Sequence, residues 1–210
     1  MKVFLQFFLV VLAGCSNAGF NSNDYLWLDS DVRVKVQNSF EELRISRPQI
    51  EFSDGNIASN CKEYSRQKSD AAETAANYSA RSHYLICDAL TLADTWPPKL
   101  QDQPIKEDLS LCSSLSLAGF RHSLGPRIET ENATLTQLFG EEAVGDSNTC
   151  AFEGEGRNFV LKAVFLLNEP EKPKRMWVWV IDEILDATYR SYQPVWFVFD
   201  ESKSMWIATQ

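Results

Sequence analysis

The stretch MWVWVIDEIL, residues 176–185, decides the fold class of this chain. Successive side chains of a β-strand point to opposite faces of the sheet. Trp177 and Trp179 therefore share one face of the predicted strand, and Val178 and Val180 share the other. Apolar residues on both faces are typical of a central strand that other elements cover on both sides.

Three further β-rich runs flank this strand. Phe159 to Leu167 precedes it, Thr188 to Phe199 follows it, and Ser204 to Thr209 is the last run. Short polar links between successive strands are typical of an antiparallel meander, which we expect from about residue 158 to residue 210. Pro194 predicts a bulge or a sheet edge in the third of these four strands, because proline cannot donate a ladder hydrogen bond.

A helical pattern lies upstream of the meander. Small or apolar residues recur at steps of three and four from Ile57 to Leu92. This period predicts one long amphipathic helix over about residues 60–95. Asn60 and Glu63 fit a capping box at its start, and the prolines at 97–98 end it.

Shorter elements complete the expected architecture. We predict an N-terminal strand within Tyr25–Val36 and short helices at Glu107–Leu117 and Leu135–Glu142. The sum is an α+β fold in which one long helix and short helices pack on a curved antiparallel C-terminal sheet. Nothing in the sequence marks a second domain, so a single domain is expected over residues 24–210.

The end of the chain offers an alternative architecture. An aromatic strand, an acidic turn and then Met205-Trp206-Ile207 are similar to the last hairpin of nuclear-transport-factor-like cone folds. The resemblance covers only the meander and implies a cone-shaped sheet, without implying a function.

The N-terminus carries a targeting signal. Lys2 is followed by the apolar run Val3 to Leu12, interrupted by Gln6. At about 1.5 Å per helical residue this run reaches ~15 Å, half of a hydrocarbon core, so it fits a signal sequence and not a transmembrane anchor. Leu12-Ala13-Gly14-Cys15 then resembles the lipobox of bacterial lipoproteins.

This resemblance implies where the protein is located. Cleavage before Cys15 would make residues 1–14 a signal peptide and Cys15 the lipidated residue that holds the protein to a membrane. Ser16 stands where an aspartate would imply inner-membrane retention, so we expect the outer membrane of a bacterial envelope, facing the periplasm. Residues 15–23 fit a lipidated cysteine and a flexible tether. The alternative is an ordinary secretory signal with a chance cysteine.

Four cysteines remain in an oxidising compartment, and an even number predicts two disulfides. In one continuous helix Cys61 and Cys87 would lie ~39 Å apart along the axis, far beyond the ~7 Å that a disulfide allows between Cα atoms. A second, antiparallel helix could bring Cys112 near Cys87. We therefore expect Cys87–Cys112 and Cys61–Cys150.

Charge and motifs exclude several function classes. With 20 Lys+Arg against 29 Asp+Glu, the chain lacks the basic surface that nucleic-acid binding needs. Its two histidines, His83 and His122, and the absence of C-x-x-C spacing argue against a metal site. His122-Ser123 is an adjacent pair and not a triad, so His122 is expected in a surface loop. We expect no catalytic residues, no metal and no cofactor.

Two groups of side chains are candidates for a site. Asp182, Glu183 and Asp186 form an acidic cluster, but alternation separates the first two, and the strand end is expected to turn into solvent. The second group is aromatic and lies on the predicted sheet. It is expected to be core, and to bind a ligand only if a concave sheet face is open. Its members are Trp177, Trp179, Tyr189, Tyr192 and Trp196.

Two functions follow as hypotheses. The first is a lipid-anchored, non-catalytic binding module of the assembly-accessory, inhibitor or immunity type, with an envelope protein as its partner. The second is a small-ligand carrier or periplasmic enzyme that uses the aromatic face with Asp182 or Glu183. A filled core favours the first, and a deep pocket beside a carboxylate with a raised pKa favours the second.

Overall fold

The computed structural model describes residues 25–68, 74–99, 109–125, 130 and 132–209. The predicted signal peptide, the predicted tether and the predicted lipidation site Cys15 lie outside the described residues. Within the described ranges, no helix combines the length and the hydropathy that a membrane span requires.

The N-terminal half is mainly helical, and the C-terminal half is mainly strand. The first half contains β1 (Tyr25–Trp27), α1 (Ser30–Gln37), α2 (Ser39–Glu42), β2 (Ile50–Glu51), β3 (Ile57–Ala58), α3 (Cys61–Gln67), α4 (Ala75–Arg81), a 3₁₀ turn (Ser82–Tyr84) and α5 (Leu85–Thr95). The second half contains α6 (Leu111–Ser114), α7 (Leu135–Phe139), a 3₁₀ turn (Gly140–Glu142), β4 (Ala143–Gly145), β5 (Thr149–Gly154), β6 (Arg157–Leu167), β7 (Arg175–Ile184), β8 (Arg190–Asp200) and β9 (Met205–Ala208).

The main sheet confirms the α+β class and the meander. Its strands run in the order β4-β5-β6-β7-β8-β9, every neighbouring pair is antiparallel, and β1 pairs with the end of β6. The sheet curls into a half-barrel. It also begins earlier than expected, because β4 and β5 precede the predicted meander.

Strand β7 is the central strand that its two apolar faces predict. Trp177 and Trp179 pack in one core cluster with α1, α3, α4 and α5. Val178 and Val180 pack in a second cluster with residues of α6, α7 and the segments around them. Pro194 lies at an edge of the sheet formed by the described residues, as expected, because β9 pairs only with residues 197–200 of β8.

The predicted long helix is wrong, because the described residues of this stretch form several shorter helices. Asn60 caps α3 as expected, accepting a hydrogen bond from the backbone N–H of Glu63 at 3.0 Å. A new helix begins after Thr74, whose extended backbone and side-chain bond to Asn77 N form a second N-cap. A residue in that conformation cannot lie inside a continuous helix.

The cysteines form two disulfides, but the expected pairing is wrong. The bonds are Cys61–Cys87, with Cα atoms 5.1 Å apart, and Cys112–Cys150, with Cα atoms 5.2 Å apart. The expectation rested on a continuous helix that would keep Cys61 and Cys87 far apart. Since the chain turns back between α3 and α5, these two helices lie side by side and their cysteines meet.

Two other local predictions were wrong. Only Tyr25–Trp27 of the predicted N-terminal strand is a strand, because Asp29 accepts a hydrogen bond from Val32 N at 2.8 Å and caps a helix there. The predicted helix 107–117 lies partly outside the described residues, and its described part is helical only from residue 111 to residue 114. Leu115 is already extended and bridges to Trp206. The short helix at Leu135 is confirmed.

Candidate functional site

The aromatic face that the sequence suggested is part of the core. Trp177 and Trp179 are 5% and 9% exposed, and both lie beneath the N-terminal helices. Trp196 is half-buried and contacts the ring of Trp96 from the end of α5, with centroids 6.3 Å apart. The helices therefore cover most of this face, although Trp179 also lines a cavity of about 260 Å³ whose other lining residues are mainly polar.

Asp182 and Glu183 lie on opposite faces of β7, as alternation predicts. Asp182 is fully buried. Its carboxylate accepts hydrogen bonds from the backbone N–H of Ser123 at 2.5 Å and from the Ser123 hydroxyl at 2.7 Å. The Ser123 oxygen in turn accepts from Arg157 Nη1 at 2.8 Å. Asp182 thus fixes the loop that contains Ser123 onto the sheet.

His122 lies next to Ser123 but does not interact with its hydroxyl. Its Nε2 donates to the carbonyl of Leu117 at 2.6 Å, and its Nδ1 accepts from Leu124 N at 3.1 Å. Burial lowers the pKa of His122 in spite of the Leu117 bond and the Asp182 charge, which keeps the imidazole neutral. The ring lies in a loop, as expected, but it is half-buried there. Since both ring nitrogens bond to the backbone, the arrangement lacks the serine–histidine hydrogen bond of a catalytic triad.

Glu183 lies in a polar network on the other face. Its carboxylate accepts hydrogen bonds from Arg190 at 2.9 Å, from Asn158 at 2.8 Å and from the hydroxyl of Tyr192. Burial alone would raise the pKa of Glu183, but these three hydrogen bonds together hold it below its ordinary value. Asp186, the third member of the predicted acidic cluster, is exposed to solvent, as expected.

A small cavity of about 140 Å³ opens beside this network, between α4 and β8. We call it the arginine pocket. It includes the predicted aromatics Tyr189 and Tyr192, together with residues that the sequence did not suggest. The lining residues are Tyr78, Arg81, Arg121, Tyr189, Arg190, Ser191, Tyr192 and Gln193.

Three separate segments position the arginines of this pocket. Arg81 comes from the last turn of α4, Arg121 from the loop that Asp182 fixes, and Arg190 from the start of β8. Gln193 donates to the backbone carbonyl of Arg121, which ties that loop to β8. Of the three guanidinium groups, only that of Arg190 forms an ion pair with a carboxylate of the described residues.

Two tyrosines of the pocket, Tyr189 and Tyr192, keep their protons at neutral pH. Burial, and then the bond to Glu183, raise the pKa of Tyr192 to about 12. Burial, and then the charge of Asp182, also raise the pKa of Tyr189. The Tyr189 hydroxyl oxygen is buried and lies near the side chains of Asp182 and Ser191.

No protein-family model, no curated protein and no solved structure matches this chain. The similarity of its last hairpin to cone folds therefore stays a prediction.

The arginine pocket differs in the charge of its lining residues from another depression on the surface. A wide groove of about 590 Å³ lies beside Phe199 and Trp206, and its polar walls carry both signs, including Lys172 and Glu201. Lys172 is already paired with Glu169 at 3.0 Å. In the described part of the chain, no group of three or more potential ligands could hold a metal ion.

Sequence reasoning missed all three arginines of the pocket, Arg81, Arg121 and Arg190. No spacing or motif links these positions to one another, because they come from distant parts of the chain. The only signal in the sequence was indirect, since Tyr189 and Tyr192 in the aromatic group lie in the same wall.

Proposed function

We propose that this protein is a lipid-anchored protein of the bacterial cell envelope that acts as a non-catalytic binding module, with the arginine pocket as its contact site. The lipobox at Leu12–Cys15 supports the anchor, and Ser16 supports the outer membrane with the domain facing the periplasm. The partner class remains an envelope protein, as for assembly accessories, inhibitors of envelope enzymes and immunity proteins.

One observation favours the arginine pocket over the aromatic face as the contact site. The helices cover most of the aromatic face of the sheet, whereas the arginine pocket is open and its wall contains no carboxylate. A concave site with convergent polar groups is the default position for ligand contacts. A cationic pocket on a chain of net charge −9 also provides a local contrast in potential, which orients a partner during encounter.

The alternative, a small-ligand carrier or periplasmic enzyme, gains no support from the two carboxylates that it requires. A general acid at neutral pH needs a raised pKa, and that of Glu183 is lowered. Asp182 is buried and accepts two hydrogen bonds from Ser123, so its oxygens face the protein interior.

Partner capture tests the proposal. The full chain, purified in detergent and immobilised, is exposed to envelope extract beside its Arg121→Ala and Arg66→Ala variants. Arg66 is exposed on α3 and lies outside the pocket. Arg66→Ala is therefore the control, because it removes one positive charge from the chain, as Arg121→Ala does, and leaves the pocket unchanged. We expect a captured protein that the wild type and Arg66→Ala retain and that Arg121→Ala loses.

A peptidoglycan-release assay addresses the enzyme alternative in parallel. We expect the wild type to release no more peptidoglycan than the Glu183→Gln variant releases. Release by the wild type that disappears in Glu183→Gln or Asp182→Asn, with the variants folded by circular dichroism, would overturn the proposal.

A further inference from the structure

We propose that the arginine pocket binds a terminal oxyanion, a carboxylate or a phosphate, presented by the partner. The identity of the partner as a macromolecule rests on the proposed function, whereas the affinity of the pocket for an oxyanion can be measured by itself.

The first argument is the positive charge of the side chains that line the pocket. Three of its residues are arginines and none is acidic, on a chain in which acidic residues outnumber basic ones by 29 to 20. Glu183 compensates the charge of Arg190 from behind the wall. Arg81 and Arg121 form no ion pair with a carboxylate of the described residues, so the pocket has positive charge available for an anion. Like charges that line one small pocket repel one another, and an anion between them offsets this repulsion.

The second argument is the type of donor. A guanidinium group presents five N–H donors in a planar fork that matches the paired oxygens of a carboxylate or a phosphate. Arg190 donates through Nη1 to Glu183 and also interacts with the hydroxyl of Tyr192, and its guanidinium group has five N–H donors in all. Ser191 adds a hydroxyl to the wall, Gln193 has a second amide N–H besides the one that bonds to the Arg121 carbonyl, and Glu183 holds Arg190 in place. The wall therefore offers donors from several directions to one acceptor group.

The third argument is size. Pockets for whole small molecules measure roughly 300–1,000 Å³, and the arginine pocket measures about 140 Å³. This space admits an end group and not a complete ligand. A terminal oxyanion on a larger molecule satisfies both the charge and the volume, because the rest of that molecule stays outside the pocket.

The test is a titration of the full chain in detergent, followed through the arginine side-chain N–H signals by NMR. The probes are inorganic phosphate, acetate and, as the neutral isostere of acetate, acetamide, all at constant ionic strength. We expect saturable shifts with phosphate or acetate and none with acetamide. Tighter binding of phosphate assigns a phosphate group to the partner, and tighter binding of acetate assigns a carboxylate.

Two variants connect the binding to the pocket. Arg121→Ala is expected to weaken the affinity for the anion about tenfold or more, since it removes a charge-assisted contact. Arg121→Lys keeps the charge but loses the planar fork and is expected to fall between Arg121→Ala and the wild type. Arg66→Ala should bind as the wild type does.

Failure of this inference differs from failure of the proposed function. Absence of saturable shifts with either anion, or equal affinity in Arg121→Ala and the wild type, overturns the oxyanion site even if partner capture succeeds. A second outcome is that Arg121→Ala weakens anion binding but still captures the partner. This result upholds the oxyanion site and shows that the pocket is not the contact with the partner.

Discussion

Cys61 at the start of α3 is bonded to Cys87 in α5, and this bond closes the chain segment that contains α4. Helix α4 supplies Tyr78 and Arg81 to the arginine pocket and packs on β8. The disulfide therefore stabilises the position of one wall of the pocket, although neither cysteine lines it.

Removal of this disulfide should cost stability. The Cys61→Ala/Cys87→Ala double variant is expected to lose about 3 kcal/mol in free energy of unfolding, because the bond closes 26 residues of chain. Urea unfolding of the variant and the wild type measures the difference. Peptide mapping without reduction should recover Cys61 linked to Cys87, and a peptide that links Cys87 to Cys112 would refute the connectivity.

Asp182→Asn should destabilise the fold without changing the surface charge nearby. The buried carboxylate accepts two hydrogen bonds from Ser123, and bonds to a charged group contribute about 1.5–3 kcal/mol. We expect a loss of that order by urea unfolding at pH 7. Asp186→Asn is the matched control, because Asp186 is exposed and makes the same charge change. Equal stability of the two variants would contradict the role of Asp182 in fixing the loop.

The stabilising effect of Glu183 should depend on pH. Its pKa is lower in the folded state than in the unfolded chain, so its contribution is complete above the unfolded value of ~4.3 and disappears as pH falls through the folded value. Glu183→Gln should thus lose about 1–3 kcal/mol at pH 7 and progressively less below pH ~4.3. Unfolding curves across this range test it. Glu153→Gln, at an exposed position on β5, should show no comparable loss at pH 7.

The predicted lipid anchor can be tested independently of the structure of the folded domain. Cys15→Ala should abolish labelling with radioactive palmitate in a bacterial host, because the thiol that takes the lipid is gone. Ser16→Asp should keep the label and move the protein from the outer to the inner membrane fraction of a host with two membranes. Labelling that persists in Cys15→Ala would show that the lipobox is not used.

The sequence alone determined the features that depend on the nearest neighbours along the chain. Alternation in residues 176–185 identified the central strand and separated Asp182 from Glu183, since each depends only on the direction of successive side chains. An even number of cysteines predicted two disulfides. The meander followed from short polar links between successive strands.

Only the tertiary structure decided which cysteines pair and which charges meet. The helical period continued across the break that Thr74 caps, so sequence periodicity could not reveal that α5 returns beside α3. Arg81, Arg121 and Arg190 belong to a helix, a loop and a strand that approach one another only when both core clusters pack on the sheet. Local patterns specify local geometry, whereas a disulfide or a pocket depends on contacts between distant segments, which packing of the whole domain determines.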